Sequence, residues 1–153
     1  YDRLGIAILE RSGGRDNLIY STCVTTSAKQ PFAERLLAVG QGFENAIKEW
    51  QPKAFAVEKL FFANNQKTAS QVSEVRGVLI YLAAVHSLPF YEYTPLEVKM
   101  AITGFGRADK SQVTDMVKRL VKVTEDKRYD DEYDAIAVGL TCLARDGLNL
   151  TNR

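Results

Sequence analysis

The sequence predicts an α/β domain built on a mixed sheet with helices on both faces. Two β-rich runs come first, LGIAILE (4–10) and NLIYSTCVTT (17–26), divided by the polar, glycine-containing RSGGRD. Short apolar runs then alternate with longer stretches of helical period, the pattern of strand-helix alternation. With 46% hydrophobic residues, 153 residues are enough for one ordinary core, so a single domain over 1–153 is expected.

The first two runs read as an antiparallel hairpin, because Gly13 and Gly14 suit a tight turn. From Phe32 to Trp50, apolar residues recur at Leu36, Val39, Phe43, Ile47 and Trp50, the spacing of a helix that buries one face. Pro31 suits its first turn. KAFAVEKL (53–60) is short, apolar and bounded by Pro52 and the Asn64-Asn65 pair, which predicts a buried parallel strand. A helix over about 66–86 and a strand in LPFYEY (88–93) follow.

TPLEVKMAI (94–102) opens with Thr94 as N-cap and Pro95 at the first helical position. After the loop TGFGRAD, the stretch 110–123 sets Val113, Met116, Val117, Leu120 and Val121 on one side, with Lys110, Lys118 and Lys122 on the other. The last helix is expected from about Asp131 to Arg145, nearly apolar all round after its first turn and stopped by Gly147. No repeat, low-complexity tract or interdomain linker is present.

Composition excludes several classes of function. No apolar run approaches the roughly 18 residues of a membrane span, and no basic-then-apolar leader opens the sequence, so a cytoplasmic protein is expected. Cys23 and Cys142 lie far apart in apolar surroundings, which predicts buried thiols rather than zinc ligands or a disulfide. A net charge of +1 makes no global case for nucleic acid, but the charge is unevenly placed. Lys99, Arg107, Lys110, Lys118, Arg119, Lys122, Lys127 and Arg128 face only four acids over 99–128, and DDEYD (130–134) then concentrates negative charge.

The candidate chemistry lies in carboxylates. Glu58 closes a strand-like run, where a carboxylate is costly unless a cation meets it. Asp131 and Asp134 stand three apart at a helix start, on one face. Favourable charge at a helix N-terminus is the plain alternative. Carboxylates gathered from a strand end and a helix start are hard oxygen ligands for Mg2+ or Mn2+, which points to two-metal phosphodiester chemistry on DNA or RNA.

AVEKLFFANN, RGVLIYLAA, EYTPLEVKMAITGFGRADKSQV and DEYDAIAVGLTC resemble, in order and spacing, the motifs of the RuvC family of bacterial Holliday-junction resolvases, over nearly the whole chain. The resemblance implies an RNase H-like fold and a homodimer that makes paired, symmetric nicks in four-way DNA junctions during recombination and repair. The nicks would leave ligatable 5′-phosphate and 3′-hydroxyl ends.

It implies Mg2+ as cofactor, two ions per active site with Mn2+ as substitute, held by Glu58, Asp131 and Asp134. Asp130 matches no family ligand. Lys99 would be catalytic, and Lys99 and Lys110 would hold the scissile phosphate. Phe61 would stack on unpaired bases, with Phe62 assigned to the core, and Arg76 would contact backbone phosphate. The helix over 66–86 is the expected dimer interface, and a branch-migration complex is a possible further partner.

The family's fourth acid ends its first, central strand in an I-D-P-G motif. The chain begins with what resembles the following segment, so that strand and its Asp are expected upstream of Tyr1, and Asp2 belongs to the turn after it. Two other readings compete: a junction-binding module without catalysis, and an actin-like or sugar-kinase ATPase. The latter would need two such domains and phosphate-binding glycine loops.

Overall fold

The computed structural model describes residues 2–59, 66–123 and 128–151, with side chains for all of these except 67 and 148–151. Strands β1 (Arg3–Ser12) and β2 (Arg15–Thr25) form the expected hairpin. Its two-residue turn is made by Gly13 and Gly14, at φ +59° and +73°, the paired left-handed geometry that matches strand twist. Strands β3 (Phe55–Glu58) and β4 (Phe90–Tyr93) form a second pair. Phe55 N donates to Pro89 O and Lys59 N to Tyr93 O, so both strands advance in the same direction and are parallel. β3 is partly rather than fully buried, and the antiparallel and parallel pairs are separate two-stranded sheets among the described residues.

The chain divides into two compact units. The first comprises 1–4, 24–55 and 60–90, with α1 (Phe32–Trp50) packed on α2 (Gln66–Val85). The heptad-like apolar spacing of α1 buries Val39, Phe43, Ala46 and Ile47, with Val39 wholly inaccessible. Gly40 makes the close approach to α2 possible, since a Cβ there would lie 3.2 Å from Val78 Cγ1. Phe43 packs edge-to-face on Phe55 and Phe55 packs tilted on Phe90, at 4.8 and 5.6 Å between centroids. Pro31 is the N-cap residue rather than part of the first turn. Buried Arg35 of α1 meets Thr26 Oγ1 at 3.1 Å and Asp2 Oδ1 at 3.3 Å, which ties the hairpin's open end to the helix.

The second unit comprises 5–23, 56–59 and 91–153 and holds α3 (Pro95–Thr103), α4 (Lys110–Leu120) and α5 (Asp130–Thr151). These three helices pack on one another around Tyr93, Val98, Ile102, Val117, Ile136 and Leu140. Ile136 and Val117 are completely buried, each contributing roughly 1.5–3 kcal/mol of apolar transfer.

Two helix ends differ from expectation. α4 stops at Leu120 because Lys122 turns left-handed at φ +50°, letting Val123 N reach back to Lys118 O. α5 runs through Gly147 instead of stopping there: that glycine lies against the Arg11 guanidinium, 3.3 Å from where a Cβ would stand, so it serves close packing and not termination. Cys142 is buried as expected, Cys23 only partly, and neither is in a disulfide.

Candidate active site

Four elements of the second unit converge on one group of charges. β3 delivers Glu58 at its exposed end, held by the Lys59 bond to β4. α3 carries Lys99 and begins in a capping box in which Glu97 N donates to Thr94 Oγ1 and Thr94 N to Glu97 Oε2. α4 begins the same way, with Asp109 and Gln112 at 2.8 and 2.9 Å, and this box makes Lys110 the first helical residue. α5 presents Asp130, Asp131 and Asp134 from its first two turns.

Lys110 Nζ stands 3.3 Å from Asp134 Oδ2 and 3.7 Å from Asp130 Oδ2. Burial lowers its ammonium pKa, but Asp134, Asp130 and Asp131 together outweigh that and hold it above the ordinary value. Glu58 is pushed up, first by desolvation and then by the charge of Asp134, against the opposing pull of Lys99 and Lys110. Asp134 is likewise raised, chiefly by desolvation, with Asp131 and Asp130 adding and Lys110 opposing. A carboxylate whose neighbours leave it short of positive charge is suited to receive a cation.

Glu58, Asp134, Lys99 and Lys110 therefore act on one another electrostatically, with Asp131 one turn before Asp134 on the same helix. The donor set consists of carboxylate oxygens, the chemistry that hard divalent ions take. Among the described residues, no three acids close around one point as an ion-holding group. Instead Lys110 supplies the positive charge that Asp130 and Asp134 share.

Arg76 belongs to the first unit, where its guanidinium lies 5.8 Å from the Phe90 ring centroid and burial lowers its pKa. Phe61 and Phe62 lie outside the described residues. Lys118 places its ammonium 5.2 Å from the centroid of the Tyr133 ring. His86, just after α2, meets Glu44 Oε1 at 3.0 Å.

Sequence reasoning missed two features. The Asp109-Gln112 spacing was a legible capping box. Glu132, one acid in the run, is buried: it falls four residues before buried Ile136, on the inward side of the helix, which a helix apolar nearly all round does not mark in sequence.

Comparison with known proteins identifies the family. The family described as "Crossover junction endodeoxyribonuclease RuvC" matches residues 1–142. The RuvC endodeoxyribonuclease of Desulfitobacterium hafniense (strain DSM 10664 / DCB-2) is 44% identical over 150 residues, 98% of this chain and 90% of that protein. That of Petrotoga mobilis is 40% identical over 137 residues, 90% of this chain and 84% of the relative. A solved structure described as T. thermophilus RuvC in complex with Holliday junction substrate superposes with a TM-score of 0.89 at 28% identity, covering 97% of this chain and 91% of that one. Another Thermus thermophilus RuvC structure gives 0.83 at 29%, covering 97% and 90%. The chain belongs to the RuvC family of crossover junction endodeoxyribonucleases and has its RNase H-like fold.

Proposed function

We propose that this chain, acting as one nuclease domain over 1–153, resolves four-way DNA junctions as a homodimer, each subunit cutting one of two symmetry-related strands. The observation that carries the proposal is the meeting of Glu58 and Asp134 with Lys99 and Lys110, in a member of an endonuclease family. Glu58, Asp131 and Asp134 would hold two Mg2+ ions, with Mn2+ as substitute. Bound there, such ions would supply activation of a water for attack on a phosphodiester and stabilisation of the leaving oxygen.

The chain's own residues do the remaining work. On this reading Lys110 leaves Asp130 and Asp134 when cations enter, and its ammonium turns to the scissile phosphate. Lys99, whose charge acts on Glu58, steadies negative charge developing on that phosphate. Phe61 stacks on bases unpaired at the junction centre, offsetting part of their unstacking cost, and Arg76 contacts backbone phosphate.

α2 is the proposed dimer surface, where Tyr81 and Val85, one turn apart, are 68% and 55% exposed. The protein would work in the cytoplasm with a branch-migration complex as candidate partner; among the described residues no helix is long and apolar enough to cross a membrane.

Glu58→Gln tests the assignment. The variant should lose cleavage of a synthetic four-way junction while its junction affinity in a gel-shift assay stays within about threefold of wild type. Cleavage at the wild-type rate would end it.

A further inference from the structure

The acids of α5 differ in direction. Asp130 and Asp134 are exposed, whereas Glu132, between Asp131 and Asp134 in sequence, has only 8% of its surface accessible. Its Oε2 accepts a 2.6 Å hydrogen bond from Ser21 Oγ on β2. Ser21 Oγ in turn accepts from Arg128 Nε at 3.0 Å, and the same Nε stands 3.6 Å from Glu132 Oε2. The three side chains thus close a ring joining the strand, the segment entering α5 and the helix's first turn.

Backbone contact reinforces the ring: a Cβ on Gly5 of β1 would fall 1.9 Å from the Asp131 carbonyl oxygen, so the turn sits directly on the sheet. Burying a carboxylate is costly, and packing alone would be served as well by an apolar residue. A buried, hydrogen-bonded carboxylate does what an apolar residue cannot: it fixes the rotation and depth of the turn through directional bonds.

We infer that Glu132 is a positioning residue, which through Ser21 and Arg128 sets where Asp131 and Asp134 stand for the divalent cations. This rests on the reading of those aspartates as metal ligands. Glu132 acts through the helix and does not itself touch the ion, since its carboxylate is engaged by Ser21 and Arg128 on the inward side.

The test is Mn2+ affinity, measured by electron paramagnetic resonance on the intact protein without DNA, with melting temperature recorded for each variant. Loss of an orienting partner typically weakens metal binding about 10–100-fold, so E132A should weaken Mn2+ binding at least about tenfold. E132Q keeps an acceptor for Ser21 and should stay within about threefold of wild type. S21A, which removes only the bridging hydroxyl, should weaken binding in the same direction as E132A. It also covers the case in which E132A does not fold.

A merely structural role would lower the melting temperature of these variants and leave the Mn2+ affinity of the folded protein unmoved, and that result overturns the inference. Equal losses in E132Q and E132A would overturn it too, because they would make Glu132 a charged ligand. D131N and D134N serve as references. If both bind Mn2+ like wild type, the ligand reading itself has failed; if both lose Mn2+ while folded E132A and S21A keep it, the positioning role alone has failed.

Discussion

Replacing Lys110 by methionine should separate metal binding from catalysis. The Lys110 ammonium is 3.3 Å from Asp134 and 3.7 Å from Asp130, so a divalent ion entering on Asp134 must compete with it. At an effective dielectric constant of about 20, the bare Coulomb attraction in each pair would be about 4–5 kcal/mol. The lysine and Asp134 side chains are 59% and 51% exposed, however, which puts the pairs near the solvated limit of about 0.5 kcal/mol each.

Removing both pairs frees about 1 kcal/mol for the incoming ion, or roughly fivefold in affinity at 1.4 kcal/mol per tenfold. K110M should therefore bind Mn2+ about fivefold more tightly in an electron paramagnetic resonance titration without DNA. Single-turnover cleavage of a synthetic junction should meanwhile fall by about a hundredfold, the order of effect of losing one donor to a developing oxyanion. Mn2+ binding that is unchanged or weaker in K110M would refute the idea that the lysine holds the cation's place.

Glu58 gives a pH signature. Its raised folded-state pKa means that the folded protein holds the proton more tightly than the unfolded chain, so stability falls as pH rises from the ordinary value of 4.5 through the raised one. Glutamine escapes that loss, so metal-free E58Q should melt above wild type at pH 7, and calorimetry should find the gap closing as pH falls toward about 4.5; equal melting at pH 7 would count against the electrostatics. Gly5→Ala forces a methyl onto the Asp131 backbone and should cost about 1–3 kcal/mol, a fall of roughly 2–12 °C in melting temperature, with weakened Mn2+ binding; wild-type melting would mean the approach is looser than described.

Local chemistry determined much of this molecule before any tertiary contact. The Gly13-Gly14 turn, the one-sided apolar period of 32–50 and the Thr94-Pro95 helix start are dictated within a few residues, and each is found where it was expected. The same holds for family membership, since four motifs in fixed order are a property of the chain itself.

Where an element ends against a neighbour, the sequence was insufficient. Gly147 looks like a stop signal but lies within α5, beside the Arg11 guanidinium, and the apolar run of β3 predicts burial yet is only partly covered. What each acid touches was likewise undecided. Asp130, Asp131, Glu132 and Asp134 are nearly equivalent as letters, and helical phase separates them only once the inward side is known. Tertiary packing then turns Glu132 toward Ser21 and Arg128 and brings Lys110, from another helix, onto Asp130 and Asp134. Electrostatic partnership depends on distance in space, and residues such as Ser21 and Glu132, 111 positions apart, become neighbours only through the fold.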